Sequence, residues 1–561
     1  MTECVIPHHG QPCGIDLVDR IRRTGPGRGG DKSADRPAGH RRRVTLRNVT
    51  PPAEPARSRD RRGWLVWVLP ALVTLVVTLA GIGHAQPWRD ELATWSAATR
   101  PVPDLVRLAG TIDAATGPYY LLMHGWTALA GTSPTALRLP SALAMAGAAA
   151  LTARLGDRLA GPRAGLLAGL LLAVLPGTSR YGQEARPYAL ATLLAVLATL
   201  LLVGALRRPT WRRWAGYAVA VAALGLLHLI AFTLLAAHAL VVVLAAARGR
   251  PAAGVEPWPD APDPAPGGAG GREAAPPAGA TGRGLLWRWL VALLPAAVLV
   301  APLVLAAGGQ RGRQLDWVRL VRVDDLAALP GGLAQSGVVG GLLVGLAALG
   351  AGWLGRRALL PGTAVLLPVL LLFAAGTAVP LWVTRYLVFT VPFACLLAGA
   401  ALAGVRLGPA LAVVTLAGLL GLPDQAALRR THEWPRTAPV DYAGVARIVA
   451  DREQPGDAIV YSPRDSWLFP DLGLAYHVGA RRPRDVLVVR DQRQRADLWA
   501  AECDRPAECL AGVDRVWLVV TGRRADPLAA VPGAKGDALR DAFTVRQVWP
   551  RPGLTVALLT R

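Results

Sequence analysis

Two adjacent carboxylates, Asp90 and Glu91, lie in PWRDELATW (87–95), a few residues after the apolar run WLVWVLPALVTLVVTLAGIG at 64–83. A carboxylate so placed can take a proton from an attacking hydroxyl. Between later apolar runs fall Arg180, Glu184 and Arg186 in TSRYGQEARPY (178–188), and Arg385 with Tyr386 in PLWVTRY (380–386). A guanidinium offers a planar fork of donors that matches phosphate oxygens. Acid and arginines together suit a displacement in which negative charge develops on a departing phosphate. Asp113, Tyr119, Tyr120, His124 and His228 complete a polar set that is unusual for so apolar a chain. Taken singly, each also reads as an ordinary residue bathed in water and headgroups. Their meaning therefore rests on whether the chain brings them to one face.

The 561 residues are 52% hydrophobic and 18% charged, and apolar runs recur near the roughly 20-residue length that spans a bilayer as a helix. This defines a polytopic membrane protein. A net charge of +23 could suggest nucleic acid, but the arginines concentrate in the N-terminal segment and in short loops between apolar runs. That is the positive-inside pattern, and nucleic acid is not an expected partner. Lysine occurs only at Lys32 and Lys535, within a general Arg, Ala, Gly and Pro bias. Of the cysteines, Cys4, Cys13, Cys395, Cys503 and Cys509 match no zinc spacing, and only Cys503 and Cys509 are placed to pair or to remain as two thiols.

Residues 1–62 are rich in Arg, Gly, Pro and Asp without a helical or strand period, as expected of a disordered cytoplasmic tail. Apolar runs follow at 64–83, 134–151, 163–178, 187–205, 214–230, 232–247, 285–307, 336–354, 358–379, 385–404 and 406–422, about eleven spans. With the N-terminus inside, the loops holding Arg154, Arg158 and Arg163, then Arg207, Arg208, Arg212 and Arg213, then Arg356 and Arg357, fall on the cytoplasmic face. The stretch 249–283, containing PDAPDPAPGGAGG, reads as a flexible cytoplasmic linker within a catalytic membrane domain spanning 63–422. The same count places 84–133, 178–188, 308–335 and 380–386 outside, together with everything from 423 to 561. That last part reads as an extracytoplasmic α/β domain. DYAGVARIVADRE has a helical period, and DAIVY, DVLVV, RVWLVV, TVRQVWP and TVALLT are strand-like. Within it Asp465, Asp471 and His477 match no nucleophile or metal spacing.

On this topology the polar set converges outside. The chemistry it suits is transfer of a sugar from a lipid phosphate to a hydroxyl, with Asp90 or Glu91 as base and Arg385, Arg186 and Arg180 holding the phosphate. Trp88, Trp95, Tyr119, Tyr120, Tyr181 and Tyr188 read first as an interfacial aromatic belt, and second as faces for a sugar. PDLVRLAG and GPYYLLMHGW read as short interfacial helices of the first outer loop.

In order and spacing, RDE, DAATGPYYLLMHGW, TALRLPSALAMAG, SRYGQEARPYAL and TRYLVFTVPFACLLAG resemble the family 39 glycosyltransferases of the GT-C fold. The resemblance covers about 64–422. It is nearest to bacterial members described as mannosyltransferases, which are related to protein O-mannosyltransferases and to the lipid A aminoarabinose transferase. It implies Asp90 as catalytic, with Glu91 as its neighbour, and Arg385 and Arg186 on the donor phosphate. Glu184, Asp113, Tyr119, Tyr386 and His228 join the expected substrate-binding set, although His228, in LLHLIAF, reads first as a hydrogen-bonded core histidine. Many relatives carry a His-Pro-Pro or Lys-Pro-Pro element where this chain has Thr116, Gly117 and Pro118, so a basic residue is missing and the headgroup is left undefined.

The function expected is inverting transfer of a monosaccharide, mannose first, from a polyprenyl-phosphate donor to a protein, glycolipid or polysaccharide acceptor outside the cell membrane. No metal or other cofactor is expected, because an Asp-Glu pair without a nearby His is a poor metal site. A transporter or lipid flippase is the alternative. Such proteins place binding residues at the membrane midplane between internal repeats, and no repeat is evident in this sequence. A third reading makes the membrane part an anchor for the C-terminal domain.

Overall fold

The computed structural model describes residues 63–248, 282–433 and 436–561. The tail at 1–62, with Cys4 and Cys13, and nearly all of the 249–283 linker lie outside the described residues.

Each apolar run becomes a helix. The first is α1 (Leu65–Leu79), and a loop then carries α2 (Arg89–Ala98), α3 (Val102–Thr111) and α4 (Gly117–Ala130). There follow α5 (Pro134–Ala160), α6 (Pro162–Val174), α7 (Pro176–Gly182), α8 (Tyr188–Arg207), α9 (Trp211–Leu227) and α10 (Leu234–Arg248). After the undescribed segment come α11 (Gly282–Gln314), α12 (Val323–Ala334), α13 (Gly337–Leu354), α14 (Leu359–Ala378), α15 (Val391–Ala403) and α16 (Leu407–Arg430). The run expected at 163–178 is not straight: α6 and α7 meet at a 67° bend at Leu175, before Pro176. Proline lacks an N–H and disfavours helix in the residue before it, so the ladder breaks there. Among the described residues, seven helices are long and apolar enough to cross a membrane, or up to eight if the bent pair counts as one, and α1 is shorter at 15 residues.

Long helices carry the site to one end of the bundle and the arginine loops to the other. In α5, 27 residues span about 40 Å, with Arg138 in the second turn and Arg158 in the last. Arg207, at the far end of α8, donates to the carbonyl of Arg158. Packing in the centre relies on small residues. A Cβ at Gly165 would collide with the Ala153 carbonyl, and one at Gly399 would lie 2.6 Å from that of Ala164, so α5, α6 and α15 meet backbone to backbone. Outward faces stay apolar, as on α11, where Val298 and Leu305 are 71% and 77% exposed. Lipid would cover such a face.

The last membrane helix passes through Pro423 to Arg430, so the helix runs beyond the boundary expected at 422. After it come α17 (Tyr442–Ala450), β1 (Ala458–Ser462), α18 (Pro470–Val478), β2 (Arg484–Asp485), β3 (Val488–Arg490) and β4 (Ala501–Glu502). The chain ends with α19 (Pro506–Cys509), β5 (Arg515–Thr521), α20 (Gly533–Ala542), β6 (Thr544–Arg551) and β7 (Leu554–Thr560). The main sheet has the order β2-β1-β5-β7-β6, with β1 parallel to β2 and β5, and β7 antiparallel to β5 and β6. Ala458 pairs with Val516, and Val516 with Leu559, so β5, buried except at its two ends, forms its centre beside the fully buried β1. Cys503 and Cys509 are joined by a disulfide. One apolar cluster joins residues of α2, α4, α17 and β5, so the domain sits directly on the first loop.

Candidate active site

Trp88 caps α2 in an extended conformation after Pro87, and Asp90 and Glu91 occupy the helix's first turn, where its dipole favours negative charge. A cavity of about 320 Å³ opens in front of that turn. Asp90, Asp113, Arg186, Arg385 and Tyr386 all line it, and Arg89, Gln314 and Trp317 join them from the sequence stretches between. Trp467, Phe469 and Leu498 of the C-terminal domain close it.

Asp90 is only loosely engaged. Its Oδ2 lies 3.4 Å from Arg385 Nη2, within ion-pair range, and has no hydrogen-bond partner among the described residues. Burial works to raise its pKa, but the charges of Arg385, Arg186, Arg89 and Arg180 outweigh burial and hold the carboxyl below its usual value. The carboxylate is thus ionised and has a lone pair free for an incoming donor, while its lowered pKa makes it a weaker base than a free carboxylate. The Trp88 ring orders the cations: Arg180 lies 4.8 Å, Arg89 5.7 Å and Arg385 5.8 Å from its centroid.

Asp113 forms the second acidic wall. Its backbone is left-handed (φ 60°), a conformation that Asp tolerates better than most residues. Thr116 donates to its Oδ1 at 2.7 Å, Gln314 donates to the same oxygen, and Tyr120 donates to Oδ2. Arg186 donates to the Tyr120 hydroxyl at 3.3 Å. Thr116, where the family resemblance led to the expectation of a basic residue, thus serves to fix Asp113.

Arg180, expected to hold the phosphate, and four of the other expected site residues do not line the cavity. Glu91 is 1% exposed and faces away, receiving Arg138 Nη2 at 2.6 Å, Arg138 Nε at 2.8 Å and the Ala185 N–H at 2.9 Å. Burial alone would raise its pKa; the charge and hydrogen bonds of Arg138 hold it well below the carboxylate range. It is a clamp behind the site. Glu184 is buried 3.3 Å from Arg180, and burial, opposed by Arg180 and reinforced by the charge of Asp90, pushes it up to about 7. Tyr119 is buried with its hydroxyl unpartnered among the described residues. His228 is 8% exposed among the rings of Tyr188, Tyr386 and Phe389, and its Nδ1 likewise lacks a hydrogen-bond partner, so it is a core histidine without the expected hydrogen bond there. His124, by contrast, has its Nδ1 2.9 Å from the Ala98 carbonyl oxygen.

The aromatic belt also differs from expectation. Trp88, Tyr119, Tyr120, Tyr181 and Tyr188 are all less than 5% exposed, packed inside the protein, and only Trp95 is half-buried. The rings order charged neighbours and one another rather than meeting headgroups.

Three contributors lie outside the expected set. Arg138, inside the apolar α5, also donates to the carbonyls of Ile82 and Ala85, both at 2.8 Å. A lone charge in an apolar run is a functional signal by default, and this one was readable. His432 and Glu433 follow the last membrane helix. The His432 carbonyl accepts from Arg180 at 2.7 Å; burial, aided by the Arg138 charge, pulls its imidazole down to about 3, so the neutral ring 3.9 Å from Glu91 forms no ion pair. Glu433 is 4% exposed, and burial, countered by Arg89 and supported by Asp90, pushes it up to about 7.

An acid at a cavity, flanked by cations at one end of an apolar helical bundle, defines a polytopic membrane protein. Its architecture is the GT-C fold of ArnT from Cupriavidus metallidurans. The apo structure of that protein superposes with a TM-score of 0.56 at 14% identity, covering 88% of this chain and 98% of the other. ArnT bound to undecaprenyl phosphate gives 0.52 at 13% identity, over 89% and 98%. The family profile described as dolichyl-phosphate-mannose-protein mannosyltransferase matches residues 117–259, about a quarter of the chain. No curated protein matches the sequence.

Proposed function

We propose that the protein is an integral membrane glycosyltransferase that moves a monosaccharide from a polyprenyl-phosphate donor to an acceptor hydroxyl on the outer face of the cell membrane. The observation that carries this reading is the incompletely bonded Asp90 carboxylate facing a cavity it shares with Arg186 and Arg385. The undecaprenyl phosphate held by the ArnT structure, and the mannosyl donor named in the family description, support a lipid phosphate donor with mannose as the first candidate sugar.

Asp90 takes the acceptor proton as that oxygen attacks the anomeric carbon. The bond from that carbon to the phosphate oxygen breaks, and its electron pair leaves with the lipid monophosphate, which gains negative charge. Arg385 and Arg186 stabilise the charge where it develops. Attack opposite the leaving group inverts the anomeric configuration. A transporter would hold its site near mid-bundle, whereas this cavity lies at the domain end, against Trp467 and Phe469.

The test is transfer of radiolabelled sugar from polyprenyl-phosphate mannose in membranes containing the protein, comparing wild type with Asp90→Asn. Absence of transfer from this and other lipid-linked donors overturns the reading, as does wild-type transfer by Asp90→Asn.

A further inference from the structure

A second and larger cleft, of about 640 Å³, lies farther along the first outer loop. Trp95 and Arg100 border it from the membrane part, and Tyr461, Asp471, Arg484 and Asp485 from the C-terminal domain. Its volume is that of a small-ligand site.

The cleft contains an unexplained group. Tyr461 is 2% exposed, and its hydroxyl has no hydrogen-bond partner among the described residues. Buried polar atoms are nearly always bonded, to protein or to ordered water, so this hydroxyl has an unfilled bonding position at the wall of the cleft. Arg464 packs against the Tyr461 ring at 5.0 Å, but its guanidinium is taken up by Asp485 at 2.7 Å, Glu502 at 2.9 Å and Asp471 at 3.4 Å.

The wall selects the ligand. Most of its residues are polar, with arginines interspersed among Asp471, Asp485 and Asp491. A lipid chain would strip water from those charged groups, and a polyanion would meet the three carboxylates. Hydroxyls both donate and accept, so they satisfy either sign. The half-buried Trp95 adds an aromatic face. Asp90 and Ser96 line the two cavities from one helix, about 9 Å apart along its axis. The Phe469–Asp471 segment likewise touches both.

We infer that this cleft binds a saccharide segment of the acceptor, so that the acceptor is a glycan whose end reaches Asp90. The inference rests on the transferase reading above, but it is tested without the donor. Full-length protein in lipid nanodiscs is titrated with linear manno-oligosaccharides and chito-oligosaccharides, as wild type, Tyr461→Phe, Arg484→Ala and Asp90→Asn. The unpartnered hydroxyl makes no protein contact to lose, so Tyr461→Phe is expected to keep its thermal stability, and Arg484 is exposed. Binding should fall about tenfold in Tyr461→Phe and Arg484→Ala, and remain in Asp90→Asn. If neither oligosaccharide binds wild type, or if binding survives both cleft substitutions, the inference is overturned. Failure of sugar transfer with cleft-dependent binding intact would instead sink the catalytic reading.

Discussion

Asp90 and Glu91 are neighbours on one helical turn, yet their surroundings are opposites. Behind α2, Glu91 is saturated by Arg138 and backbone donors and fully enclosed. In front, the Asp90 side chain is 18% exposed to a cavity, with one oxygen unbonded and its arginine at 3.4 Å. The same chemical group is therefore a fixed joint on one side and, in the proposed mechanism, the reactive group on the other, because only one is denied a full complement of donors. Sequence places both acids at the membrane edge, but only burial separates their roles.

The sharpest way to break this contrast is Asp90→Asn, expected to lower transfer by about 10²–10⁴-fold, the usual worth of a general base. Its thermal unfolding should stay near wild type, and a large loss of stability would make Asp90 a joint like its neighbour. Arg138→Ala leaves Glu91 buried and unpaired and should destabilise by about 3–5 kcal/mol, read as loss of folded protein after extraction. Native stability in that variant would remove the clamp from the account. Arg385→Ala should lower kcat by about 10²-fold with the fold intact, and Arg385→Lys by less, since charge remains but the planar fork is lost. Tyr120→Phe removes one donor to Asp113 and should cost about 1 kcal/mol in unfolding measurements.

The smallest effect is one of pH. Glu184 and Glu433 rise from 4.5 to about 7 in the folded protein, which therefore holds more protons than the unfolded chain between those values. Their contribution to stability falls as pH rises through that window and is constant above it. Asp90 and Glu91 are shifted the other way, and their contributions are lost only in acid below the normal carboxylate range. The buried neutral His432 works in the opposite sense over part of this range, so the Glu433 contribution is read as a difference between variants: the thermal midpoint of Glu433→Gln should exceed that of wild type more near pH ~8 than near pH ~5. An equal margin at both pH values would remove that residue as a cause.

Helices and strands were largely legible, because each arises from local period and composition. The runs at DAIVY, RVWLVV and TVALLT became β1, β5 and β7. The site was legible where its residues stand next to apolar runs, as Asp90, Arg186 and Arg385 do. Trp467, Phe469 and Leu498 were not, since their place on the cavity depends on how a separate domain docks, and nothing in their spacing encodes it. Glu184 and Tyr119 were misplaced for a related reason. Adjacency in a loop does not say which side chain turns inward, and both are buried beside the cavity rather than on it.

The carbonyl that receives Arg180 belongs to His432, 252 residues later in the chain. During synthesis, the cation that stacks on Trp88 must therefore wait for the final membrane helix before its bonding is complete. A nascent or truncated chain ending before that point has the acid and the arginines but not the contact that seats Arg180. Completion of the chain is thus itself a condition for completing the site.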